Sequence, residues 1–224
     1  MDIEIWSDVN CPWCYLGKRR LEAALADFEH VADVSLTWRS FELDPDAPAE
    51  IAGNGATMLA EKYGMPMERA QAVERNLTEL AAADGLHYDL EHARIGSSFD
   101  AHRLVHLAKR AGLQDAMQER LFRARFTEGL LISDTETLVN LATEVGLDED
   151  EVRAMLAGDA FAADVRADEL MAQQLRIDGV PMFVVDRTFG MSGAQPPEQL
   201  LALLRHAWKA SDGPDQPEPH PASG

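Results

Sequence analysis

Apolar and polar positions divide the chain into three stretches of different period. At the start, Ile3 and Ile5 alternate with their neighbours up to Ser7, a period of two that predicts a half-buried strand. Asn10 then suits a helix N-cap and Pro12 the first helical turn, so a helix is expected over 11–30, with Leu16, Leu21, Leu25 and Phe28 on its apolar stripe. Val34, Leu36 and Trp38 alternate again, which completes a β-α-β unit with parallel strands and a right-handed crossover. The turn-rich segment Arg39-Ser40-Phe41-Glu42-Leu43-Asp44-Pro45 leaves the sheet.

From 49 to 158 the period becomes helical. Ala-, Leu- and Glu-rich windows fall at 56–63, 66–84, 98–111, 114–127, 134–145 and 148–157, separated by Gly64, Pro66, Gly85, Gly112, Gly129, Gly146 and Gly158, with no strand pattern between them. A further helix is expected over 161–176. Strands then return in the apolar run Gly179-Val180-Pro181-Met182-Phe183-Val184-Val185, entered through a proline, with Asp186-Arg187 as a turn and 188–192 as the partner strand of a hairpin. Pro196-Pro197-Glu198 opens a last amphipathic helix through Leu200, Leu204 and Trp208, and 211–224, rich in Pro, Asp and Gly, reads as a disordered tail. The class is α/β. Segments 1–48 and 159–210 form one expected domain, interrupted by an all-helical domain at 49–158.

Composition narrows the functional classes. With 224 residues, 46% of them hydrophobic, the chain can bury a large core without staples. Its 39 acidic residues against 20 basic ones would repel a nucleic-acid backbone, so no nucleic-acid partner is expected. No apolar run is long enough to span a bilayer, and no basic start with an apolar run precedes residue 11, so no membrane partner is expected and the place of work is the cytoplasm.

The chemistry concentrates in Asp8-Val9-Asn10-Cys11-Pro12-Trp13-Cys14. At a helix N-terminus, unpaired amides and the positive end of the dipole favour a thiolate, which makes Cys11 a nucleophile. Cys14 lies one turn on, placed to attack a mixed disulfide formed at Cys11. Zinc is the competing reading, but it needs four ligands and these are the only two cysteines; two inert core cysteines would leave the strand-helix setting unexplained. Asp8 reads either as a proton acceptor for Cys14 or as a turn cap. His102 and His106, spaced i, i+4, read as solvated or groove-lining, with no third ligand for a metal. Met58, Met65, Met67 and Phe99 either form an adaptable binding surface or pack in the core.

The order of elements and five matching pieces carry a resemblance. These are the Cys11-Pro12-Trp13-Cys14 motif with its preceding residues, Trp38-Arg39-Ser40-Phe41-Glu42-Leu43-Asp44-Pro45, Ala101-His102-Arg103-Leu104, Gly179-Val180-Pro181-Met182-Phe183-Val184 and Ser192-Gly193-Ala194-Gln195-Pro196. The chain resembles the DsbA family, a thioredoxin-like fold with an inserted helical domain, and within it the FrnE-like branch. The resemblance implies Cys11 as attacking thiolate, Cys14 as resolving thiol and Pro181 as a cis-proline opposite them; a trans, edge-strand Pro181 is the alternative. It implies that the Val180 backbone, with Pro12 and Trp13 beside the thiols, binds an extended peptide or glutathione. Family members often carry asparagine where this chain has Ser97, and highly oxidising ones carry histidine at Trp13, so this chain is expected to be less oxidising.

Two functions follow from the resemblance. The first is a thiol-disulfide oxidoreductase or disulfide isomerase acting on protein or small-molecule disulfides, with glutathione as co-substrate and no bound cofactor or metal. The second is a glutathione-dependent isomerase or transferase like the 2-hydroxychromene-2-carboxylate isomerases and kappa-class glutathione transferases. Those relatives use serine at the Cys11 position and lack the second cysteine, so the pair favours redox work. Some relatives dimerise, which leaves a homodimer open.

Overall fold

The computed structural model describes residues 1–211 of the chain. Strand β1 (Asp2–Ser7) leads into helix α1 (Pro12–Ala26), which returns through a short 3-10 turn at Val31–Asp33 to β2 (Ser35–Ser40). Seven helices follow: α2 (Gly55–Tyr63), α3 (Met67–Ala83), α4 (Phe99–Arg110), α5 (Gln114–Phe126), α6 (Thr135–Val145), α7 (Glu149–Ala157) and α8 (Ala162–Gln174). The hairpin β3 (Met182–Val185) and β4 (Phe189–Ser192) and the helix α9 (Pro197–Ser211) close the described chain. Each helix expected between 49 and 176 lies within two residues of its observed bounds.

The sheet order is β2-β1-β3-β4. β1 pairs parallel with β2, setting Ile5 against Trp38, and antiparallel with β3, setting Ile5 against Phe183. β1 is thus an inner strand, and it is buried on both faces rather than the half-buried strand its alternation predicts. Ile3 and Ile5 join the main core with α1 and α9, whereas Trp6 packs on the other face with Ala172 of α8 and Ile177. Glu4, also on that second face, is kept charged by Arg39 and Arg187, and Asp168 of α8 meets Arg39 at 2.8 Å.

Three local expectations change. Cys11, not Asn10, occupies the N-cap of α1, with Pro12 at N1. The helix stops at Ala26 instead of about 30, because the chain turns there to bury Phe28, whose ring meets Trp208 edge-on at 6.1 Å. The stretch 49–158 is not free of β pairing: an isolated bridge joins Ile51 to Ile95, with the Ile51 amide donating to the Ile95 carbonyl at 2.8 Å. At the hairpin, Asp186 and Arg187 both take positive φ (47° and 53°) at the centre of a turn that the Thr188 amide closes by donating to the Val185 carbonyl at 3.0 Å. The expected tail 211–224 lies outside the described residues, except Ser211, which ends α9. Among the described residues, no helix is long and apolar enough to cross a membrane.

Candidate active site

The turn between β1 and α1 sets both thiols. The Cys11 amide donates to the Asp8 carbonyl at 3.0 Å, while the Asp8 carboxylate accepts from the Asn10 amide (2.9 Å) and from the Leu43 amide (2.7 Å). Asp8 is therefore a cap that binds this turn to the loop after β2. Its burial raises its pKa, but His102, whose Nε2 stands 3.6 Å away, and the two amides outweigh that, so it is held below the usual carboxylate range. Cys11, with 5% of its surface exposed, lines a cavity, and Cys14, one helical turn on, is fully buried. Burial and the neighbouring Cys11 push the Cys14 thiol well above its ordinary pKa. Both cysteines are free thiols.

Opposite them, the Val180–Pro181 peptide bond is cis. The Cys11 Sγ donates to the Val180 carbonyl at 3.7 Å, so this strand entry and the thiol are direct neighbours. Gly17 makes that approach sterically feasible. A Cβ built on it would lie 2.9 Å from Pro181 Cγ and 3.2 Å from Phe183 Cζ. A glycine inside an otherwise apolar helix face was a legible signal of such close contact.

On the other side of Cys11 lies a cavity of about 710 Å³. Pro12 and Trp13 form part of its rim, the latter 41% exposed. Its walls come from the loop at Leu43 and Ile51, from α2 and α3 (Met58, Leu77) and from the end of α5 (Arg125, Phe126). Of the other candidate surface residues, Met67 is exposed and Met65 half-buried, and neither lines the cavity; Phe99 lies under the guanidiniums of Arg103 and Arg166. Ser97 accepts the Phe99 amide at 3.2 Å at the start of α4.

Neither histidine of α4 is solvated or groove-lining. His102 is 2% exposed and faces Asp8; His106 sits 3.2 Å from Asp168 and 3.1 Å from the Ser40 hydroxyl. Their carboxylate partners come from residues 8 and 168, distances no local spacing reveals. Among the described residues, no group of three or more His, Cys, Asp or Glu side chains could hold a metal ion.

Two further residues belong to the site. Tyr88 donates its hydroxyl to the Pro12 carbonyl at 2.6 Å. Arg125 is 4% exposed and donates through Nε to Asn10 Oδ1 at 3.2 Å. Arg125 falls at i+4 from Leu121 on the apolar face of α5, and a cation in that row was the available signal.

Residues 2–205 match the family model of the DSBA-like thioredoxin domain. A probable DsbA oxidoreductase, SCO1869 of Streptomyces coelicolor, superposes with a TM-score of 0.90 at 48% identity, covering 98% of this chain and 93% of that one. The uncharacterized protein YwbO of Bacillus subtilis (strain 168) is 27% identical over 191 residues, 83% of this chain and 87% of its own. The cytosolic disulfide reductase DsbM of Pseudomonas aeruginosa, solved with GSH, shares the fold at 21% identity and a TM-score of 0.63, covering 93% of this chain and all of its own (100%).

Proposed function

The chain belongs to the DsbA-like thioredoxin-domain family of thiol oxidoreductases, and from that premise we propose that it is a dithiol-disulfide oxidoreductase working through Cys11 and Cys14. The observation that carries this reading is the pairing of a cavity-lining thiol at a helix N-cap with a fully buried thiol one turn behind it.

The steps follow from that geometry. A Cys11 thiolate, at the N-cap of α1, attacks one sulfur of a disulfide R–S–S–R′; the Cys11–S–S–R bond forms and R′S⁻ leaves. Cys14 then loses its proton to that departing thiolate or to water, attacks Cys11 Sγ and releases RS⁻. Two electrons pass from the dithiol to the substrate. An external thiol such as glutathione returns them by the reverse exchange. Burial holds Cys14 as a thiol until the mixed disulfide is in place. Val180 offers its carbonyl beside the sulfur, with Pro181 fixing that edge and Pro12 and Trp13 bordering the entrance. Asp8, whose oxygens are both engaged by amides, acts through the turn it holds; Asp8→Asn tests the alternative role, because a proton acceptor lost there would slow the Cys14 step selectively.

The glutathione bound in the Pseudomonas aeruginosa reductase supports glutathione as the co-substrate, and that enzyme's cytosolic setting supports a cytoplasmic one here. Equilibration in graded glutathione buffers, read by thiol alkylation and intact mass with Cys14→Ser as control, tests the reading. An intramolecular disulfide in the native protein, replaced by a glutathione adduct in Cys14→Ser, is expected. A stable adduct on Cys11 in the native protein, with no intramolecular disulfide, would replace oxidoreduction by glutathione-dependent isomerisation.

A further inference from the structure

Two cations line the cavity at Cys11: Lys62, exposed, and Arg125, buried at 4% exposure. Arg125 is unusual in what it lacks. Its Nε is used by Asn10, but Nη1 is buried with no acceptor, and among the described residues no carboxylate pairs with it. Asp8, which acts on Arg125 through space, has given its oxygens to the Asn10 and Leu43 amides. Glu74, also on the cavity wall, acts on Arg125 only through space, and burial raises its own pKa.

Burial lowers the Arg125 pKa to about 10, against the pull of Asp8 and Glu74, so the guanidinium stays charged at neutral pH. A buried cation with an open donor costs stability unless an anion meets it. Asp44 and Glu61, both exposed, also line the cavity, and the remaining wall is mostly hydrocarbon, including Ile51, Met58, Leu77 and Phe126. The volume of about 710 Å³ suits a small organic molecule. Asn10 joins the two ends of this site, since its side chain holds Arg125 and its backbone precedes Cys11.

The geometry points to a small, largely apolar disulfide or thiol bearing a carboxylate as the substrate class of this cavity, its anion held by Arg125 and its sulfur at Cys11. This rests on the dithiol reading above and adds the chemistry of R in R–S–S–R′. Arg125 is then a specificity residue: a guanidinium presents parallel N–H donors to a carboxylate, and the surrounding apolar wall strengthens that pairing.

The test measures how fast Cys11 of the Cys14→Ser protein forms mixed disulfides with two aromatic reagents. One is 5,5′-dithiobis(2-nitrobenzoate), which carries carboxylates; the other is uncharged 4,4′-dithiodipyridine. The readout is the ratio of the two rates, each divided by the rate of the same reagent with free glutathione. Arg125→Met should lower that ratio by about tenfold or more, and Arg125→Lys should restore part of it. An unchanged ratio in Arg125→Met overturns the assignment while leaving the oxidoreductase reading intact. Failure of both reagents to form a mixed disulfide at Cys11 would instead remove the dithiol reading itself. Should Arg125→Met not fold, protection of native Arg125 protein decides: benzoate should slow reaction with 4,4′-dithiodipyridine more than benzyl alcohol does at equal ionic strength, and equal protection overturns the assignment.

Discussion

The two sides of Cys11 are built on opposite plans. One side is the sheet with α1, α4, α8 and the Val180–Pro181 edge, where charges as well as hydrocarbon are buried: Glu4, Asp8, Glu42, His102 and Asp168 all lie below 7% exposure. The other is the wall from α2 and α3, whose fully buried residues reduce to Ala56, Ala70, Leu77 and Ala81. A side held by interlocked polar contacts and close packing fixes where the sulfur sits. A thinly buried wall adapts to what enters. Substitutions on the first side should therefore change stability and all substrates together, whereas those on the second should change preference among substrates.

The sharpest way to break this contrast is Gly17→Ala. Its new methyl has no room against Pro181 and Phe183, so overpacking should cost about 1–3 kcal/mol and lower Tm by roughly 2–12 °C, with disulfide exchange slowed for every substrate. An unchanged Tm would show that the fixed side yields as easily as the wall.

Next comes Glu42, whose side chain is fully buried beneath Arg166. Burial pushes its carboxyl up to about 7, against the opposing pull of Arg166 and His102. An acid held above its unfolded value of 4.5 binds its proton more tightly when folded, so its contribution is complete below that pH and is lost as pH rises through about 7. Glu42→Gln should remove this loss, on the order of 1–3 kcal/mol, and flatten the fall in stability between pH 5 and 8. Urea unfolding at the two pH values reads the difference directly.

Tyr88→Phe removes the hydroxyl that holds the Pro12 carbonyl and should cost about 0.5–1.5 kcal/mol in urea unfolding. The smallest effect on folding belongs to the wall. Met58→Ala, half-buried, should stay within about 1 kcal/mol of the native stability while altering the relative rates of bulky and compact disulfides. A large loss of stability with unaltered preference would reverse the assignment of the two sides.

What the sequence discloses follows the same division. The helices between 49 and 176 are legible because each carries its own period and its own stops, and the Cys11-Pro12-Trp13-Cys14 motif is legible because four adjacent residues contain the chemistry. The double burial of β1 is not, since its second face is covered by α8, more than 150 residues away in the chain. His102 and His106 mislead for the same reason: a histidine pair on a helix looks solvent-facing until Asp8 and Asp168 arrive from remote segments. Arg125 is intermediate, visible as a charge in an apolar row but without a role until Asn10 and the cavity surround it.

The Asp8 carboxylate has one more consequence. Leu43 lines the cavity and gives its amide to Asp8, whose other oxygen takes the Asn10 amide in the turn before Cys11. These two amide protons hang on one anion, so a movement that carries the Asp8 carboxylate away releases both to deuterated solvent at once. A molecule seated in the cavity would slow both together, and a pair of nuclei outside the reacting atoms would report occupancy before any sulfur has exchanged.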